Sequence, residues 1–533
     1  MPHILGMGEH LLRALDEAVA TGVGGDQARA VVAAVVRTAA ITAPADLWLI
    51  KYVLPAARAN PDACDPKELE ADLELLEARG YLYRFDGDWL TVDTERARRV
   101  VAELTPPPAG LAAGVSVVWG RLFRGSSLSP AEVAALESVV SSGPPARRAM
   151  DQGDVARRPE LGWTATIDEV ELGWRVLPIV LGLRQASLSG ALGDAKRVRP
   201  PGDTSLVQAA AAHLRAAGYL VADDPWEASR IGRRVFGRGP GPFGIIEAYH
   251  PYMDRLGEIR REGGANVWVN RSANVAASQA ANRREFERAN DSLDRFCEDT
   301  GFGITTFIEH AMGRAEGIRQ RWTRSGDEVG ITYVGADLED AAVDAAAMER
   351  QRGRLPAKVR LYRGCDIGRP DTLLRKLQSE GVPTEGAVMM VGNGFHEVRG
   401  VDDPGMVEVF RAYHDAGILL VFTEASALSG QDLLRTAWNT YHAGFRYVHA
   451  KSGQGLRPAD AAPGAPGRRR MPSSWQACAE AAGYVRPERW CTRSRTIYPT
   501  TPADRPNPSI SVTHFCVPGP LASRLGVATT RPG

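Results

Sequence analysis

The chain lacks any apolar run approaching the roughly 20 residues that a membrane-spanning helix needs. It also lacks excess charge: 64 Lys and Arg balance 64 Asp and Glu. Bulk binding to nucleic acid requires a basic excess that displaces phosphate counterions. Anchoring to an anionic membrane requires a polybasic patch. Neither nucleic acid nor a membrane is therefore an expected partner. Cysteines are scarce, six in 533 residues, and none forms a CxxC pair. A chain this long has no need of a disulfide frame, so free thiols in a cytoplasmic protein are expected. A secretory leader is not expected either, because Glu9 and Arg13 interrupt the first apolar stretch. With 44% apolar and 24% charged residues, the composition is that of a globular protein. The length suggests about three domains.

An internal repeat organises the first half. Leu76-Glu77-Ala78-Arg79-Gly80-Tyr81-Leu82 is echoed by Leu214-Arg215-Ala216-Ala217-Gly218-Tyr219-Leu220. Each copy ends a helical apolar period (Leu69, Leu73, Leu76; Val207, Ala211, Leu214) on a glycine, and a β-like run follows. In the first copy, Asp86-Gly87-Asp88 signals a hairpin into Trp89-Leu90-Thr91-Val92. The second has a poorer wing, because Pro225 weakens a strand. Helices followed by a hairpin predict mainly helical, winged-helix-like modules over 1–105 and 106–240. Such modules often bind DNA, but the helix predicted over 65–79 carries Asp65, Glu68, Glu70, Asp72, Glu74 and Glu77 against Lys67 and Arg79. Phosphate repels it, so packing into a homodimer is the expected role. Linker-like segments fall at 105–110, 238–242 and 457–474.

Connecting or cap helices are expected over 241–290, and from 291 to 533 strands alternate with helices, the pattern of a doubly wound α/β domain. Thr305 to Glu309 is a buried strand running into Glu309-His310-Ala311-Met312-Gly313-Arg314-Ala315-Glu316. That turn resembles the E/D-x-G-x-G-x-G turn of class I S-adenosylmethionine (SAM) methyltransferases, with Ala at two of the three Gly positions. Small residues are needed where the backbone approaches a cofactor. The second strand ends in Asp337, 24 positions after Gly313, near the spacing of a ribose-binding acid. A nicotinamide-binding domain shares that spacing. The third strand runs into Asp366, which resembles the methyltransferase residue that contacts adenine and is equally a candidate helix N-cap. The fourth strand, Ala387 to Asn393, leads into Gly394-Phe395-His396-Glu397, and a fifth runs to Glu424. Helix 474–482 and two late strands near 493–498 and 509–517 resemble the antiparallel ending of the family.

The order resembles the winged-helix methyltransferases of natural-product pathways, in which a His-Asp or His-Glu pair follows strand four. The resemblance covers roughly 240–520 plus the preface. It implies a C-terminal Rossmann-like methyltransferase domain with SAM as cofactor, held by Glu309, Ala311, Gly313, Asp337, Asp366 and Asn393. It implies His396 and Glu397 as catalytic residues. Some relatives, such as phenylpyruvate and 2-ketoarginine methyltransferases, hold one metal and C-methylate 2-oxo acids. By resemblance to these, His396 and His442 are implied as ligands of a divalent metal such as iron, with His449 able to replace His442. A metal chelated by a 2-oxo acid acidifies the neighbouring C–H. In the alternative, His396 is a metal-free base for O- or N-methylation. A third reading is a regulator that senses SAM without turnover, and a fourth a nicotinamide dehydrogenase. Asn274, Ser278 and Asn282 share one helical face, so Asn274, Ser278 and Gln279 are candidates for binding a small-molecule substrate; a solvated polar face reads the same way.

Overall fold

The computed structural model describes residues 113–144, 167–229, 271–326, 330–428, 449–460, 473–495 and 509–527, a strand pair at 82–85 and 88–91, and a few isolated positions. The chain divides into two units. The first takes 1–269, 429–452 and 496–507; the second takes 270–428, 453–495 and 508–533.

Helices dominate the described residues of the first unit. β1 (Leu82–Phe85) pairs antiparallel with β2 (Asp88–Thr91), Phe85 opposite Asp88, as the hairpin reading of the sequence requires. There follow α1 (Ala113–Phe123), α2 (Pro130–Val140), α3 (Ile167–Gln185), α4 (Leu188–Gly193) and α5 (Thr204–Ala216). α2 starts in a capping box: the Ser129 hydroxyl accepts from the Glu132 N–H, and the Glu132 carboxylate accepts from the Ser129 N–H. Asp203 caps α5, and Gly218, at φ 80°, ends it in the left-handed position that glycine favours. α1 and α3 approach so closely that a Cβ on Gly182 would lie 2.4 Å from the Trp119 Cβ. Trp119, Phe123, Leu136, Val176, Leu214 and Trp226 form the core. β3 (Leu220–Asp223) and β4 (Trp226–Ala228) make a second hairpin. Pro225 sits between the paired ends of its strands, where it removes no ladder hydrogen bond, so the second hairpin closes despite it.

The second unit is built on one eight-stranded sheet. Its strands are β5 (Thr306–His310), β6 (Thr332–Ala336), β7 (Arg360–Tyr362), β8 (Ala387–Gly392), β9 (Leu419–Ala425), β10 (Tyr484–Val485), β11 (Thr492–Arg495) and β12 (Ser509–Pro518). The order is β7-β6-β5-β8-β9-β12, with β10 and β11 both on the far side of β12. β5 to β9 are parallel, and β12 runs against its neighbours. Parallel strands covered on both faces read as continuous apolar runs, and β5 is buried along its whole length.

Alternate residues feed two cores. Ile308, Val334, Met389, Leu420 and Phe422 pack on one face with Phe410 and Trp475; Phe307, Tyr333, Met390, Val421 and Phe515 pack on the other with Phe296 and Trp490. The helices are α6 (Arg271–Thr300), α7 (Glu316–Ser325), α8 (Asp340–Gln351), α9 (Pro370–Ser379), α10 (Asp403–Asp415), α11 (Trp475–Ala481) and α12 (Gly519–Arg524). α6 runs unbroken through residue 291, where the sequence suggests a domain boundary. Its buried Phe286, Leu293 and Phe296 belong to the second core. No described helix is long and apolar enough to cross a membrane.

Candidate active site

The strand order reverses between β5 and β8, and in open α/β sheets ligands bind beyond the carboxyl ends of the strands at that point. Most of the sequence-derived candidates of this unit stand there.

The turn after β5 has an unusual backbone. Ala311, Gly313 and Ala315 have φ of 55°, 55° and 58°. These are the three positions that the sequence motif assigns to glycine. The turn keeps the left-handed shape although two of its three residues carry a Cβ, at roughly 1–2 kcal/mol each. Glu309 opens the turn and is 1% exposed. Its Oε2 accepts from the Ile318 N–H, 2.7 Å away at the start of α7. Its Oε1 is buried without a hydrogen-bond partner. Burial pushes the carboxyl up to about 8, against the pull of the Ile318 and Gly317 amides.

The other candidates for the cofactor stand around this turn. Asp337, at the end of β6, is buried; its Oδ2 accepts from the Gly313 N–H at 3.0 Å and its Oδ1 from the Glu339 N–H at 3.0 Å. Asp366 follows β7, and its Oδ1 accepts from the Gly368 N–H at 2.8 Å. Asp366 does not cap α9, whose N-cap is Arg369. Asn393 is left-handed at φ 54°, a conformation that asparagine tolerates. Its N–H donates to the Thr423 carbonyl and its Oδ1 accepts from the Ala425 N–H, which staples the ends of β8 and β9 together. Next to it, a Cβ on Gly394 would lie 3.2 Å from the Ala311 Cβ, so the loops after β5 and β8 touch.

That staple sets the His396 turn against β9. His396 is 5% exposed, and its Nδ1 lies 2.6 Å from Glu424 Oε2. The other oxygen of Glu424 accepts from the Phe395 N–H at 2.6 Å. A carboxylate only accepts, so Nδ1 carries the proton and Nε2 is the basic nitrogen. Glu397, adjacent in sequence, has its Oε1 3.8 Å from Nε2. Its Oε2 accepts from the Gln454 amide, and the Gly455 N–H donates to the His396 carbonyl at 2.9 Å. The carboxylate that orients His396 is thus Glu424, a residue the sequence motifs do not single out. One signal was available: Glu424 is an acid closing a strand that is otherwise apolar, Leu419-Leu420-Val421-Phe422-Thr423.

His442 lies outside the described residues, and so do the side chains of Asn274, Ser278 and Gln279. His449 is buried and belongs to the first unit. Among the described residues no group of three or more His, Cys, Asp or Glu could hold a metal ion. The described part of the site supplies one imidazole, His396, with Glu397 beside it.

The chain matches no family model and no curated protein. Solved structures of similar shape include the CurJ carbon methyltransferase, at 12% identity over 85% of this chain and 99% of that one, TM-score 0.31. Another is the citrinin polyketide synthase CMeT domain, at 14% identity over 76% of this chain and 97% of that one, TM-score 0.32. A third is the methyltransferase CalO6, at 13% identity over 64% and 94%, TM-score 0.32.

Proposed function

We propose that the chain is a SAM-dependent methyltransferase of a small molecule in natural-product biosynthesis, with His396 as the base and Glu424 as the carboxylate that orients it. The observation that carries this reading is the left-handed turn 311–315, set between the buried carboxylate of Glu309 and the start of α7 and touching the loop of His396. The residues fit the cofactor. The turn brings backbone within reach of a ligand, Asp337 offers acceptor oxygens for ribose hydroxyls, and Asp366 stands where the resemblance puts adenine. When bound, SAM supplies an electrophilic methyl group on a sulfonium.

The protein's own part is to orient the acceptor and take its proton. Nε2 of His396 would accept the proton that the acceptor gives up when it is methylated, the methyl–sulfur bond breaking with its electron pair retained by sulfur in the departing thioether. Glu424 stabilises the imidazolium that results and holds the tautomer beforehand. Acceptors with an acidified hydrogen suit such a base: a C–H beside a carbonyl, as in 2-oxo acids, or an O–H or N–H. The described residues do not assemble a metal site. The helix–hairpin modules of the first unit we read as winged-helix-like, with a homodimer as the assembly they serve.

The test follows conversion of SAM to S-adenosylhomocysteine (SAH) with panels of 2-oxo acids, phenols and amines. In His396→Ala and Glu424→Gln, kcat should fall about 10²–10⁴-fold while SAH affinity stays within twofold. Unchanged kcat in both variants sinks the base; absence of SAH binding by the wild type sinks the class.

A further inference from the structure

His310 is the last residue of β5, and the turn begins at the next position. It has no access to solvent. Its Nε2 lies 3.1 Å from the Cys365 carbonyl and its Nδ1 lies 3.1 Å from the Tyr413 hydroxyl. Tyr413, on α10, is equally buried, and its hydroxyl lies 3.2 Å from the Ile367 carbonyl. The two rings stand nearly perpendicular, at 88°.

The proton positions follow from the partners. A carbonyl only accepts, so Nε2 carries the hydrogen and donates to Cys365. Nδ1 then has a lone pair, and the Tyr413 hydroxyl donates to it and to the Ile367 carbonyl, sharing one proton between two acceptors. Burial pushes His310 down to about 4 and keeps the Tyr413 hydroxyl protonated, so both groups are neutral in ordinary buffers.

Cys365 and Ile367 flank Asp366 on either side. One imidazole and one phenol therefore grip the backbone before and after Asp366 and tie it to the last residue of β5, one position before the left-handed turn 311–315. A second link runs through Asp337, whose carbonyl accepts from the Cys365 N–H and whose Oδ2 accepts from the Gly313 N–H.

We propose that His310 and Tyr413 are positioning residues that hold the Asp366 loop and the turn 311–315 in one fixed relation, and so set the affinity for the adenosyl part of the cofactor. This rests on the methyltransferase reading. A site already in its bound shape loses less freedom on binding, so the effect belongs in affinity and not in the chemical step.

The experiment measures SAH and 5′-methylthioadenosine binding by calorimetry, and kcat at saturating SAM, on the full chain. Tyr413→Phe keeps the ring and removes the hydroxyl. It should weaken both ligands about tenfold, the size of one buried hydrogen bond, and leave kcat within twofold. His310→Gln keeps a donor towards Cys365 and should retain most of the affinity; His310→Leu should not. A general loss of structure would instead lower kcat and the melting temperature together, without separating Gln from Leu. If the Leu variant does not fold, the Phe variant decides. Tyr413→Phe binding both ligands as the wild type does, in a wild type that binds SAH and turns over, overturns the positioning role alone. A wild type that binds neither ligand overturns the methyltransferase reading and this inference with it.

Discussion

Ala311 and Ala315 hold a backbone conformation that glycine adopts without strain. Replacing either by glycine relieves roughly 1–2 kcal/mol of steric cost and adds about 0.5–1 kcal/mol of unfolded-chain entropy. Each of Ala311→Gly and Ala315→Gly should therefore stabilise by about 0.5–1 kcal/mol, read as a higher denaturant midpoint at unchanged slope. Glu309 makes a prediction about pH. Its folded pKa, about 8, lies above the ordinary value of 4.5. The folded state then binds more protons between those values, so stability from this group is lost as pH rises through that window. Glu309→Gln removes the titration, so its stability relative to wild type should rise with pH from 4.5 to 8, by at most about 1.4 kcal/mol per unit. A flat difference across that range would show that the carboxyl titrates normally. Part of this site is legible in sequence because its residues lie in one turn or at one spacing: Glu309, Gly313 and Asp337 are within a single β-turn-α-β unit. Glu424 is not, because only the side-by-side pairing of β8 and β9 brings it to His396. Tyr413 is hidden for the same reason, on a helix packed against loops far from it in sequence.

The parallel strands were legible as elements because each is a buried run bounded by turn residues, and β5, β6, β8 and β9 match the apolar segments within a residue or two. β10 was not, since two residues carry no pattern. Its place comes from pairing with β12, at Tyr484 opposite Pro518. The first half of α6 reads as a polar stripe, and periodicity does not show that it continues the same helix as Phe286 to Phe296. At that helix the sheet comes very close: a Cβ on Gly392, at the end of β8, would lie 2.4 Å from the Phe286 ring. Gly392→Ala should force that ring aside and cost about 1–3 kcal/mol. Because Asn393 and His396 follow directly, activity should fall along with the denaturant midpoint; an unchanged midpoint would mean that α6 shifts freely over β8.

At the scale of the whole chain, each unit has its own core, centred on Trp119 and Trp226 in one and on the sheet in the other. A ligand that binds only the folded second unit should stabilise that unit. Saturation with SAH at a hundredfold excess over its Kd should add about 2.7 kcal/mol to the protection of amides in β5, β6 and β8 in hydrogen exchange. Amides of α1, α3 and α5 should keep their rates; equal protection of both sets would show that the units unfold together. The reversed strand β12 has a further consequence for how the chain comes into being. It lies between β9 and the β10/β11 pair, yet it is made after all of them. Until residue 518 leaves the ribosome, β9 presents Leu419-Leu420-Val421-Phe422 on an open sheet edge, the kind of edge that recruits other chains. An exposed edge of this kind is the surface that aggregation exploits and chaperones shield. Among the described strands β12 is the last in the chain, and it is the one that covers that edge.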